Sequence, residues 1–191
     1  MLVALVGPTG AGKSTITHML VHNWNYSVFR IVTTRPQRGR EIDRISVSAS
    51  DFARLKRSGA FLWVNSAFGY RYGIPRHLLD SLPSIQPTYL MDPALDDLDK
   101  ISKLQGHKIL FLILPPTWDE LERRLLEKGR AARLSEARDQ YDRCKAAIAN
   151  GLPELTTCRI VINESAEESA NKIYMDIDAV QDELLRKAAY A

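Results

Sequence analysis

Apolar residues fall along this chain in short blocks divided by polar stretches. Leu2 to Val6 is apolar at every position and runs into a glycine-rich turn, the pattern of a central parallel strand buried on both faces. Lys108 to Leu114 repeats it and stops at Pro115-Pro116. Between them, residues 28 to 32 and Thr88 to Met91 read as further strands, and Ala60 to Tyr72, with Phe61, Trp63, Phe68, Tyr70 and Tyr72, as strands or a hairpin. Helical spacing marks Lys13 to Val21, then Ser50 to Ser58 capped by Ser50 or Asp51. Thr117 opens another helix, with Glu120 completing a capping box and Gly129 ending it. Ser135 to Asn150 follows, closed by Gly151, then a strand from Arg159 to Ile162 and a last helix from Ala166 to Ala189. Strands alternating with helices predict an α/β fold, a mostly parallel sheet with helices on both faces.

Composition narrows this picture. The chain has 191 residues and a formal net charge of +3, enough length to bury about 70% of the unfolded surface in one domain and too little charge to argue for nucleic acid. Its 2 cysteines cannot build a zinc site or a disulfide scaffold, so a reduced, cytoplasmic setting is expected. No apolar run approaches the roughly 18 residues of a membrane span, and the first residues lack the basic, longer pattern of a signal peptide.

The first turn carries the strongest chemical signal. Gly7-Pro8-Thr9-Gly10-Ala11-Gly12-Lys13-Ser14-Thr15 matches G-x-x-x-x-G-K-[ST] directly after a strand and at the start of a helix. Glycines let such a loop wrap a phosphate at main-chain distance. Its amides and the positive helix end hold the anion, Lys13 reaches the β/γ-phosphates, and Ser14 can ligate Mg²⁺. A small-molecule kinase, a GTPase switch and a non-catalytic binding module all use this loop. The switch is disfavoured, because the nearest guanine reader, Asn171-Lys172-Ile173-Tyr174, lacks its aspartate. A binding module has no need of an intact Lys13 and Ser14.

Further pieces occur in a telling order: Thr33-Thr34-Arg35-Pro36-Gln37-Arg38; the short helix within Ser48 to Phe61; Tyr72-Gly73; Phe111 to Leu114 before Pro115-Pro116-Thr117 and Arg124-Leu125; and Val161-Ile162-Asn163-Glu164. With the phosphate loop they resemble the guanylate kinase-like branch of the nucleoside monophosphate kinases over nearly the whole chain. The resemblance implies a P-loop kinase core at about 1–32, 87–126 and 138–191, an acceptor-binding insert at about 33–86 and a lid at about 127–137. It implies ATP and Mg²⁺, with Gly7, Gly10, Gly12, Lys13, Ser14, Thr15 and Asn163 around the nucleotide and Ser14 on the metal. A small phosphate-bearing acceptor is the implied partner, with neither nucleic acid nor membrane, and no oligomeric state is read. Its phosphate falls to Arg35, Arg38 and Tyr72, whose guanidinium forks and phenol suit a dianion. Arg130, Arg133 and Arg138 are the lid arginines, with Arg138 preferred as the catalytic one beside Lys13 and Arg35. Without the resemblance, Arg38 and Arg40 read as a solvated loop face. Asp92 either meets the acceptor or Mg²⁺ or caps a helix from Pro93 to Leu98.

The chain departs from the family's pattern at the guanine-reading positions. Ile31 stands where true guanylate kinases have a hydroxyl, Trp63 where they have a glutamate, and a second tyrosine is replaced near Ile45. Losing the carboxylate leaves guanine's N1–H and amino group unpaired, at about 1–3 kcal/mol each. Gly69 to Pro75 and the shortened loop from Arg35 to Ser48 look more like ribose 1,5-bisphosphate phosphokinases, which use a sugar phosphate. Trp63 is either core packing or the wall of a pocket without a base.

Overall fold

The structure, a computed structural model, describes residues 1–39, 41–67, 69–151 and 157–189. Arg40 and Phe68 lie outside the described residues.

Strands β1 (Leu2–Val6) and β8 (Lys108–Leu114) pair in parallel through five registered positions at the centre of a five-stranded sheet of order β2-β7-β1-β8-β9. The flanking strands are β2 (Ser27–Val28), β7 (Tyr89–Met91) and β9 (Thr157–Ile162), and every pairing in this sheet is parallel. Their unbroken apolar runs are explained by burial on both faces. Val3, Leu5, Ile109, Phe111 and Ile113 pack with Ile16 and Leu20 of helix α1 (Lys13–Trp24) and Ile173 and Ile177 of α7 (Ala166–Ala189). Ala4, Val6, Leu110, Leu112 and Leu114 pack on Leu121 and Leu125 of α5 (Trp118–Glu127) and Ala137, Tyr141 and Cys144 of α6 (Leu134–Ala149).

A second, four-stranded sheet has the order β4-β3-β6-β5. It consists of β3 (Ile31–Thr33), β4 (Arg44–Ser46), β5 (Phe61–Ala67) and β6 (Tyr70–Pro75). One face packs Val32, Phe61 and Val64 on Phe52 of α2 (Ala49–Arg57). Ile31, Trp63, Tyr72 and Ile74 instead join Leu2, Met91 and Ile101 of the first sheet and α4 (Leu98–Ser102). A short α3 (Leu78–Ser81) precedes β7.

Several local expectations are corrected. The single strand read at residues 28 to 32 is two strands in different sheets: Phe29 N–H still bonds Leu90 O of β7 at 2.7 Å, whereas Ile31 N–H bonds Asp43 O beside β4 at 3.1 Å. The chain changes partner at Arg30, which an apolar run cannot announce. Helix α2 is capped by Ser48, not Ser50 or Asp51, because Ser48 Oγ accepts Asp51 N–H at 3.0 Å and donates back to its carboxylate at 2.7 Å. The box at Thr117 is half formed. Thr117 Oγ1 accepts Glu120 N–H at 3.2 Å, but the Glu120 carboxylate turns to Arg123 and Arg124, whose hydrogen bonds draw its pKa down to about 2. Asp92 caps no helix: a one-turn 3-10 helix begins at Leu95 behind Ala94, and α4 follows it.

Candidate active site

The phosphate loop joins β1 to α1. Gly7, Gly10 and Gly12 take φ of 151°, 91° and 97°, a region that L side chains rarely enter. Space is as restrictive as strain, since a Cβ on Gly12 would lie 2.2 Å from Asn163 Nδ2. Gly12 offers α1 no side-chain cap, and the first main-chain bond of the helix is Ile16 N–H to Gly12 O at 3.1 Å. The preceding amides, on Lys13, Ser14 and Thr15, have no partner within the helix, which is the arrangement that receives an anion. Ser14 and Thr15 are exposed at that end. This glycine cradle and open helix terminus fit a nucleotide's phosphates, and the Ser14 hydroxyl fits a Mg²⁺ ligand. Lys13 Nζ is folded back onto Gly7 O at 2.8 Å and Pro8 O at 3.1 Å, with Asp92 Oδ1 at 3.9 Å.

Asn163, which the resemblance places around the nucleotide, ties the loop to the rest of the core. Only 2% exposed, it donates from Nδ2 to Ala11 O at 2.7 Å and accepts Ser169 Oγ–H at 3.0 Å, while its main-chain carbonyl takes Arg124 at 2.8 Å.

Arg35 is 6% exposed and pairs with Glu41, while its Nη1 is buried without a partner. Arg38 is exposed. Partial burial, and after it the nearby cations of Arg35 and Arg133, lower its pKa from the ordinary arginine value, against the opposing fields of Glu41 and Tyr72. Arg35, Arg38, Tyr72 and Arg133 therefore share one neighbourhood. Tyr72 is half-buried opposite Thr33 and Asn65 in its sheet.

Within the segment expected to be the lid, Ala131–Arg133 form a 3-10 turn leading into α6. Arg133 Nη2 donates to Thr9 Oγ1 of the phosphate loop at 3.0 Å and to Glu136 at 2.8 Å, and Thr9 N–H donates to Gln140 Oε1 at 2.7 Å. Arg130 is exposed. Arg138, the arginine preferred from sequence, is turned away: it binds Asp142 at 2.9 Å and lies over the Trp118 ring at 4.9 Å. Asp92 stands between Lys13 and Arg44, whose Nη2 donates to Asp92 O at 2.8 Å. Glu41, Arg44, Glu136 and Gln140 are functional neighbours that no motif marked.

Among the described residues no helix is long and apolar enough to cross a membrane, and no three His, Cys, Asp or Glu side chains group as metal ligands. The family model "Guanylate kinase" matches residues 1–180. A guanylate kinase of Sphingopyxis alaskensis is 33% identical over 73% of this chain and 69% of its own length. One from Frankia casuarinae is 32% identical over 90% of this chain and 94% of its own. The crystal structure of guanylate kinase from Anaplasma phagocytophilum superimposes with a TM-score of 0.70 at 25% identity, covering 95% of this chain and 85% of that one. Agreement of this extent, from the first strand into the last helix, means that the chain belongs to the guanylate kinase family and is an ATP-dependent phosphotransferase.

Proposed function

We propose that this protein moves the γ-phosphoryl group of ATP onto the phosphate of a small acceptor, a nucleoside monophosphate, with little selectivity for guanine. The observation that carries this reading is Arg133, hydrogen-bonded to Thr9 of the phosphate loop and close enough to Arg38 to act on its charge. One guanidinium thus borders both the donor loop and the arginines assigned to the acceptor. Arg35, Arg38 and Tyr72 receive the acceptor phosphate, with the unpartnered Nη1 of Arg35 as a donor in waiting. The four-stranded sheet with α2 forms the acceptor-binding insert, and the segment about 127–137 is the lid.

The acceptor's second pKa is about 6, so its attacking oxygen is already ionised at neutral pH and no general base is needed. A phosphate oxygen attacks the γ-phosphorus, the bond to the β-bridging oxygen breaks, and ADP leaves with that electron pair. The protein aligns the two phosphates and neutralises their charge through Lys13, Arg35, Arg38 and Arg133. Ser14 would hold Mg²⁺ through its hydroxyl, and the ion would supply further charge neutralisation on the donor phosphates.

Weak guanine selectivity follows from the acceptor side of the second sheet. Ile31 and Ile74 are 3% and 2% exposed within an apolar cluster that Trp63 borders, and no carboxylate stands at these positions. Each unpaired guanine donor costs about 1–3 kcal/mol, roughly a tenfold loss or more. The same wall favours a second reading, a ribose 1,5-bisphosphate acceptor yielding phosphoribosyl pyrophosphate, because such a substrate has no base to read. ADP release measured with GMP, dGMP, AMP, CMP, UMP and ribose 1,5-bisphosphate tests both. Comparable turnover of several monophosphates supports the first reading, and turnover of the bisphosphate alone replaces it with the second. Strong preference for GMP refutes the selectivity argument. ATP binding without turnover of any acceptor makes the chain a nucleotide-binding regulator.

A further inference from the structure

Arg44 belongs to none of the motifs above. It opens β4 in parallel register with Ile31, and its side chain, 12% exposed, crosses from the second sheet to the first. Nη1 meets Asp43 O at 3.0 Å and Asp43 Oδ2 at 2.8 Å. Nη2 meets Asp92 O at 2.8 Å and lies 3.7 Å from Asp92 Oδ2. The other oxygen of Asp92 lies 3.9 Å from Lys13 Nζ. One carboxylate at the end of β7 is therefore shared by two cations, Lys13 at the start of α1 and Arg44 of β4.

The sharing matters because Lys13 has competing partners. An ammonium has three donors, and this one faces Gly7 O, Pro8 O and Asp92. Reaching a donor phosphate means leaving them. Resting on the reading of this loop as the donor site, we infer that Arg44 is a positioning residue that holds Asp92 off Lys13 and keeps the lysine available to phosphate. The fork anchors Asp92 at both its carbonyl and its carboxylate. Without that fork, Lys13 is the remaining cation within 4 Å of Asp92 among the described residues. The pair tightens, and the nucleotide has to break it.

The test is a double-mutant cycle read by calorimetric titration with a non-hydrolysable ATP analogue in EDTA, so that no metal contact of Asp92 enters. Arg44→Gln is expected to weaken binding about 5–20-fold, the scale of one partly buried ion pair. Asp92→Asn placed in that background restores binding to within about threefold of Asp92→Asn alone, because no carboxylate is left to trap Lys13. Arg44→Lys, which keeps the charge but loses the fork, is expected to fall between the unmutated protein and Arg44→Gln. Melting temperatures report folding for every variant. If Arg44→Gln does not fold, Arg44→Lys takes its place in the same cycle, and a loss there that Asp92→Asn does not relieve overturns the proposal. Independent, multiplicative effects of the two substitutions overturn it, as does Arg44→Gln binding at full strength. An unmutated protein that fails to bind the analogue overturns the donor-site reading itself.

Discussion

Asn163 is where packing and function meet most tightly, and Asn163→Ala tests both. The substitution removes two hydrogen bonds at a site 2% exposed, leaving Ala11 O and the Ser169 hydroxyl without their partner. A buried group left unsatisfied costs about 1–3 kcal/mol, so the pair sums to about 2–6 kcal/mol. In a domain of this size each kcal/mol moves Tm by about 2–4 °C, which predicts a fall on the order of 10 °C. Ser169→Ala breaks only the second bond and is expected to lose less than half as much. Circular dichroism during heating measures both. The same loosening reaches the phosphate cradle, because Asn163 pins the main chain at Ala11 one residue before Gly12. Titrations with ATP and GTP are therefore expected to weaken by the same factor, whatever the base. A Tm unchanged within about 1 °C refutes the account of the clamp. A changed preference between ATP and GTP at unchanged Tm shows instead that Asn163 touches the base.

Arg35→Ala is expected to raise the acceptor KM and lower kcat with little effect on ATP affinity, since its guanidinium pairs with Glu41 in the second sheet's loop and not with the phosphate loop; an equal loss of ATP binding, measured by titration, refutes that. Arg133→Ala is expected to cut kcat at least tenfold, as loss of one charge-assisted contact to a transferring group does, whereas Arg138→Ala leaves steady-state kinetics within about twofold. Burial raises the pKa of both Cys144 and Cys158 to about 11, so at pH 8 only about one thiol in a thousand is ionised. Native protein is expected to react with a thiol reagent far more slowly than protein in denaturant, and equal rates refute it.

Much of the fold was legible because burial on two faces leaves an unmistakable pattern. Leu2–Val6 and residues 109–114 are apolar without interruption, and Ala166–Ala189 keeps helical spacing throughout. The phosphate loop was legible for a related reason: strained, crowded glycines tolerate no substitute. What escaped depends on partners far away in the chain. Arg44–Ser46 alternates polar and apolar residues but is only three residues long, too short to stand out from the loop around it, and it is a strand because β3 lies beside it. Asp92 reads equally as a cap or as a site residue, because only the folded chain brings Lys13 and Arg44 to it.

Arg133 and Arg138, two of the three arginines assigned to the lid, part ways along α6. At about 100° per residue, Glu136 and Gln140 fall near one line along α6, and Arg133 enters that line from one turn earlier. Those three side chains converge on Thr9. Arg138 sits two residues from both Glu136 and Gln140, about 200° around the axis, so it cannot face the loop while they do. It joins Asp142 and Trp118 on another face. Ala137, Tyr141 and Cys144, spaced by four and three, fix the buried stripe of this helix from its sequence alone. What they do not fix is which flank of that stripe lies beside the loop after β1. The sheet order answers that by packing α6 against β8 and β1, and a residue's place near the start of the helix carries no information about it.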